Sequence, residues 1–248
     1  MEIIFGASHL PCLSSNNLTD IKKFLHTIID EGFLKFDTAE SYCHGNSEIT
    51  IGSLVRSDLN ITTKVGGNYQ MLSNGMRFPI SAITRERFGK LEVRLMQKLY
   101  LLRNGLLPQF NPNIYPNMIK KRLEISLKRL RRDNVDNYLL HGLPQHANLE
   151  YFVEELVSLK TAGYVKKIGI SYPGNELIDL EWADMVQIPF HRIHLFKPHV
   201  KKISAYGVFM NHKNEDTDNL EFSINESGVQ SLVVRSSNLS HLQKLAKL

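Results

Sequence analysis

The sequence predicts an α/β fold closed into a single TIM-type (β/α)8 barrel, and three observations carry that prediction. Eight short runs rich in strand-forming residues alternate with amphipathic helical stretches, the pattern of a parallel sheet rather than of hairpins. The 248 residues match the roughly 250 typical of such a barrel. An open doubly wound sheet would want a G-x-G-x-x-G turn after its first strand, and FGASHLP stands there instead. One domain over residues 1–248 is therefore expected, with a long insertion after the third strand and a truncated C-terminal end.

The elements follow in order. Ile3 to Gly6 reads as the opening strand. Ile21, Phe24, Leu25, Ile28 and Ile29 then form a helical stripe, with Asn17 as cap and Gly32 as stop. Phe33 to Asp37 is a buried strand ending in a carboxylate, Asn46 to Arg56 a helix, and Leu59 to Lys64 a strand ending in a lysine. From Val65 to Tyr115 the alternation breaks around a basic helical stretch at Arg85 to Arg103, and so long a connection is read as an insertion. Pro116 opens the next helix, with Ile119, Leu123, Leu127 and Leu130 on one face. The strand Val135 to Leu140 runs into His141, and a helix carrying Leu149, Phe152, Val153, Leu156 and Leu159 stops at Gly163. The strands Lys167 to Ser171, Asp184 to Ile188, Lys202 to Tyr206 and Val229 to Val234 follow, with a short helical piece after the first of them, and a helix from Leu239 to Leu248 closes the chain.

Composition narrows the function classes. A 42% hydrophobic fraction is enough for a core, and no apolar run approaches the roughly 20 residues that cross a bilayer, so neither membrane insertion nor secretion is expected. The formal charge of +5 is spread along the chain apart from Lys128, Arg129, Arg131 and Arg132. Without interleaved aromatic residues that cluster reads as a solvated helix end, not a nucleic-acid surface, and the basic balance suits a small anionic ligand. Cys12 and Cys43 have neither zinc nor C-x-x-C spacing, so a reduced, cytoplasmic protein is expected with Cys43 as a small apolar filler. Metal-ligand motifs such as H-E-x-x-H are missing from the sequence.

Chemistry concentrates at strand ends. Asp37, Lys64 and His141 each finish a strand, at the end where barrels of this type build active sites, and Tyr42 follows Asp37 on the departing loop. An ammonium favours a neighbouring phenolate and so makes the phenol a better acid, while a carboxylate keeps that ammonium charged and oriented. His141 then hydrogen-bonds a reacting oxygen or relays a proton. Such a group suits protonation of an oxygen on which negative charge develops.

The segments GFLKFDTAESYCHGNSE, ITTKVG and NYLLHGLP resemble the aspartate-tyrosine, lysine and histidine segments of the aldo-keto reductase family. The resemblance extends over almost the whole chain and implies Asp37, Tyr42, Lys64 and His141 as a catalytic tetrad for NADPH-dependent, metal-free reduction of aldehydes and ketones on a TIM barrel. KKIGISYPG and MVQIPFH are similar to the segments whose serine and glutamine bind the nicotinamide carboxamide, which implies Ser171 and Gln187. ISAYGVF implies Tyr206 as the ring stacked on the nicotinamide. SLVVRSSNLSHLQKL implies Arg235, Ser236 and Asn238 as the grip on an adenosine 2′-phosphate, an assignment that also fits a basic residue and hydroxyls ahead of a helix. The implied cofactor is NADP(H), with NAD(H) as the alternative, and the partner a small-molecule carbonyl compound.

The chain departs from the family pattern in four places. Tyr172 and Pro173 stand where an asparagine commonly follows the serine, and Lys244 and Leu245 where an acid and an asparagine meet the adenine. The start leaves little room for an N-terminal hairpin, and the C-terminal substrate loop is expected to be replaced by the 65–115 insertion. A nucleotide-binding regulatory subunit with little or no turnover is the competing expectation, and a Schiff-base barrel using Lys64 a third.

Overall fold

Each strand-like run pairs in parallel with the next, and the last returns to the first, so the sheet closes as β1-β2-β3-β4-β5-β6-β7-β8. A computed structural model describes residues 1–8, 18–67, 110–144, 149–174, 178–196, 202–208, 229–236 and 239–245. The strands are β1 (Glu2–Gly6), β2 (Lys35–Asp37), β3 (Asn60–Val65), β4 (Val135–His141), β5 (Val165–Ser171), β6 (Met185–Pro189), β7 (Ile203–Tyr206) and β8 (Ser231–Val234). The described α-helices are α1 (Leu18–Asp30), α2 (Asn46–Gly52), α3 (Ile119–Leu130), α4 (Leu149–Thr161), α5 (Ile193–Phe196) and α6 (Leu239–Leu245).

The expected helical stripes are the buried ones, except that Val153 of α4 is only partly buried and lies outside the core cluster. Leu25 and Ile28 of α1 share a core cluster with Phe5 and Phe36, whose rings meet edge-on at 5.6 Å on the outer side of the barrel. Ile119, Leu123, Leu127 and Leu130 of α3 and Phe152, Leu156 and Leu159 of α4 belong to the same cluster. At about 1.5–3 kcal/mol for each large side chain buried, this layer offsets much of the chain's ordering entropy. α1 stops at Gly32, where Phe33 N–H reaches back to Ile28 C=O at 3.0 Å, and the turn after α4 repeats the closure at Gly163, with Tyr164 N–H to Leu159 C=O at 3.1 Å.

Several boundaries differ from the sequence reading. α2 ends at Gly52 rather than Arg56, because Gly52 lies directly on the Arg129 and Leu130 backbone and the chain must turn to enter β3. Between β5 and β6, where a short helical piece was expected, residues 178–184 are not helical: Asp179 accepts Glu181 N–H at 3.0 Å, and Ala183 N–H closes on Leu180 C=O at 2.9 Å, while 175–177 lie outside the described residues. A one-turn helix, α5, stands after β6 where none was expected. Val65 is the last residue of β3, not the start of the insertion. Beyond it the ends of the inserted stretch meet: Gly67 and Phe110 form an isolated antiparallel bridge, and Asn111 N–H donates to Gly66 C=O at 2.7 Å. The helical stretch expected at 85–103, the Asn17 cap and residues 246–248 lie outside the described residues.

Candidate active site

Strand register decides which side chains face the barrel axis. Asp37 is paired with Thr62, and Lys64 lies two residues beyond Thr62. Lys64 is in turn paired with Leu139, and His141 lies two beyond that. His141 pairs with Ser171, and Ser171 with Gln187. Side chains alternate with period two and partners in a parallel ladder face the same way, so all five project from one face, into the barrel at its C-terminal end. The two-residue climb from strand to strand is the stagger that closing a tilted barrel requires.

The centre of the group is an enclosed ammonium. Lys64 Nζ lies 2.5 Å from Asp37 Oδ1, 3.0 Å from the Thr38 carbonyl and 3.4 Å from the Tyr42 hydroxyl, and it is 1% exposed. Burial pulls the lysine pKa down and the Asp37 charge opposes that pull. Gln187, also buried, donates its amide N–H to Asp37 Oδ2, so both carboxylate oxygens are occupied. Tyr42 is half-buried and opens a tight turn, Tyr42–Gly45, in which Cys43, His44 and Gly45 all have positive φ. Two consecutive non-glycine residues in the left-handed region store strain directly beside the phenol.

His141 closes the group on the far side. Its ring meets Tyr42 edge-on with centroids 5.6 Å apart, and its Nδ1 lies 3.4 Å from Ser41 Oγ. Burial, helped by the Lys64 charge, lowers its pKa to about 3, so the imidazole is neutral at physiological pH. Acid, phenol, amine and imidazole thus stand together where their order along the strands predicted.

Two carboxylates that the sequence reading left out hold this loop. Glu40 accepts Gly66 N–H at 2.9 Å and Arg122 Nε–H at 2.9 Å, tying the Tyr42 loop to the exit of β3. Gly66 has φ +99, and the Phe110 ring fills the space a side chain would need, so glycine is required at this neck. On the outer face of β3, fully buried Glu48 accepts the Thr63 hydroxyl at 2.6 Å and pairs with Arg129 at 3.1 Å, and burial raises its pKa. One signal in the sequence marked Glu48: it lies three residues before Ile51 on the apolar side of its helix.

The expected cofactor positions are distributed around the same rim. Ser171 is buried at the end of β5, Tyr206 partly buried at the end of β7, Arg235 exposed and Ser236 partly buried just after β8. Asn238 lies outside the described residues. The Tyr172 side chain is buried, and its ring packs on Gly174. Cys43 does not match the expected apolar filler, since its sulfur is disulfide-bonded; the sequence's other cysteine, Cys12, lies outside the described residues. The basic cluster is not one patch either. Arg129 pairs with Glu48, while Arg132 donates to the Arg56 and Ser57 carbonyls at 3.1 and 2.9 Å. A cleft of about 560 Å³ near the starts of β3 and β4, lined in part by Arg56, Asp58, Asp136 and Lys166, is roughly 13 Å down the strand from Lys64, and these four charges pair among themselves. Among the described residues, no helix is long and apolar enough to cross a membrane, and no cluster of metal-ligating side chains occurs.

Comparisons with known proteins bear on the fold and the family. The fold superimposes on aldo-keto reductase AKR11C1 from Bacillus halodurans (holo form) with a TM-score of 0.69 at 17% identity, covering 99% of this chain and 86% of that one. It also matches the thermostable aldo-keto reductase Tm1743, in complex with the inhibitor epalrestat, with a TM-score of 0.63 at 16% identity, covering 99% and 88%. A curated relative, the uncharacterized oxidoreductase YqkF of Bacillus subtilis (strain 168), is 28% identical over 169 residues, 65% of this chain, which spans 43% of that relative's length. The sequence model of the aldo/keto reductase family matches residues 2–194, the stretch that holds Asp37, Tyr42, Lys64, His141, Ser171 and Gln187, and the chain belongs to that family of oxidoreductases.

Proposed function

We propose that the chain is an enzyme that reduces an aldehyde or ketone by hydride transfer from NADPH, with Tyr42 as the general acid. One observation carries the reading: the Tyr42 hydroxyl lies 3.4 Å from the ammonium of Lys64, which Asp37 holds at 2.5 Å inside the barrel mouth. A cation at that distance stabilises the phenolate left after proton donation, and the enclosed position strengthens its field. His141, neutral and beside the Tyr42 ring, hydrogen-bonds the carbonyl oxygen as charge develops on it.

The residues present fit a nicotinamide dinucleotide. Ser171 and Gln187 are neighbours in register, and Gln187, anchored through its amide N–H on Asp37, would turn its carbonyl toward the carboxamide. Tyr206 would stack on the nicotinamide, and Arg235 with Ser236 and Asn238 would hold the 2′-phosphate. Bound there, the cofactor supplies the hydride. The chain's own groups orient it, exclude water and deliver the proton. NAD(H) is the alternative if Arg235 does not engage a phosphate. The substrate is a small carbonyl compound.

The test is Tyr42→Phe, which is expected to lower turnover at least about a hundredfold while NADPH still quenches protein fluorescence as in the wild type. Turnover equal to wild type rejects the assignment. A nucleotide-binding subunit with weak turnover is favoured by one feature, the buried Tyr172 where a carboxamide contact is expected. It predicts NADPH binding with no reduction across a panel of aldehydes and ketones.

A further inference from the structure

Ser41 immediately precedes the proposed acid Tyr42 and takes no part in the proton donation itself. Its Oγ lies 3.4 Å from Nδ1 of His141, which is 100 residues away in sequence. The surrounding backbone holds that contact from three sides. His44 N–H donates to the Ser41 carbonyl at 3.3 Å, and Glu40 N–H donates to the Lys64 carbonyl at 3.2 Å, fixing the loop on which Ser41 sits. Gly67 backs onto the pair so closely that a β-carbon there would collide with both His141 Nδ1 and Ser41 Oγ.

A neutral imidazole carries one ring proton, and the partner of one nitrogen determines what the other presents. With the proton on Nδ1, Nε2 would turn a lone pair toward the mouth and repel a carbonyl oxygen gaining negative charge. With the proton on Nε2, that nitrogen is a donor and Nδ1 must accept. We propose that Ser41 is a positioning residue whose hydroxyl donates to His141 Nδ1 and so holds the ring proton on Nε2, facing the substrate oxygen. This inference rests on the reading of His141 as the group that hydrogen-bonds the carbonyl oxygen.

The experiment is nitrogen-15 NMR of the histidine rings in the full chain, with His141→Asn used to assign the resonance, comparing wild type, Ser41→Ala and Ser41→Thr. The wild type and Ser41→Thr are expected to show a protonated Nε2 and a bare Nδ1. Ser41→Ala is expected to shift toward the other tautomer, with kcat lowered about tenfold, the equivalent of one ordinary hydrogen bond, and KM and NADPH affinity held within about twofold. A wild-type proton on Nδ1, or a Ser41→Ala ring identical to wild type, overturns the proposal. The ring measurement needs no substrate, so its failure is distinct from failure of the reductase reading, which Tyr42→Phe tests alone.

Discussion

Strand β3 separates two buried carboxylates, each with a cation, and they are built for different work. On the inner face Asp37 meets Lys64, with side chains 4% and 1% exposed. On the outer face Glu48 meets Arg129, 0% and 28% exposed. Lysine is a compact point charge whose pKa moves readily when buried, and here it stands beside a phenol. Arginine remains charged and offers a fork of donors, so Arg129 reaches from the surface to satisfy Glu48 and fastens α2 to α3. The same pairing of opposite charges therefore encloses a cation beside a phenol on one face, the centre of the proposed chemistry, and on the other forms a clamp whose cation keeps contact with water.

The largest expected effect breaks the inner pair. Lys64→Met should lower turnover about a thousandfold and also cost about 3–5 kcal/mol, because Asp37 is left buried without its cation. Steady-state kinetics and thermal melting read the two losses. Glu48→Gln keeps the shape and an acceptor for Thr63, and should cost only about 1–2 kcal/mol while turnover stays within about threefold. A thousandfold loss in Glu48→Gln would erase the distinction.

Acidity sharpens the comparison because the two sides respond with opposite sign. Below pH 6.5 the unfolded chain protonates His141, whereas the folded chain resists until about pH 3. This contribution to stability is complete above 6.5 and lost as pH falls, with a slope of at most about 1.4 kcal/mol per pH unit. Glu48 has a raised pKa, so its contribution is complete below 4.5 and is lost as pH rises through the folded value. Urea unfolding across pH should therefore show a gentler acid-side decline in His141→Asn and a relative gain toward neutral pH in Glu48→Gln. Parallel curves for both variants would contradict the assignment of burial as the cause.

The smallest effect lies at the turn that follows α2. Val55 is 73% exposed at φ 50, a conformation that costs a β-branched side chain dearly and serves neither pair. Val55→Asn should raise stability by about 1 kcal/mol, read as a higher melting temperature with unchanged kinetics.

Much of the barrel was legible because period and punctuation report local physics. The stripes of α1, α3 and α4 faced the core as their spacing required, and Gly32 and Gly163 ended helices where they stood. Asp37, Lys64 and His141 were legible as a group because strand ends of a parallel barrel share one rim. Glu40 and Glu48 were less so: a carboxylate in a motif looks solvated until its partners, Gly66, Arg122, Thr63 and Arg129, arrive from distant segments. The early end of α2 escaped for a similar reason, since Gly52 stops against another helix rather than at a local signal.

By itself, then, the sequence determined the alternation of strands and helices, their apolar faces and the chemical character of each strand end, because these follow from propensity, periodicity and residue type. Only the tertiary structure decided that Lys64 is held between Asp37 and Tyr42, that Gln187 is anchored on Asp37, and that Ser41 meets His141 beneath Gly67. Those contacts depend on the stagger of the closed barrel, which brings Gln187 within hydrogen-bond distance of Asp37, 150 positions away.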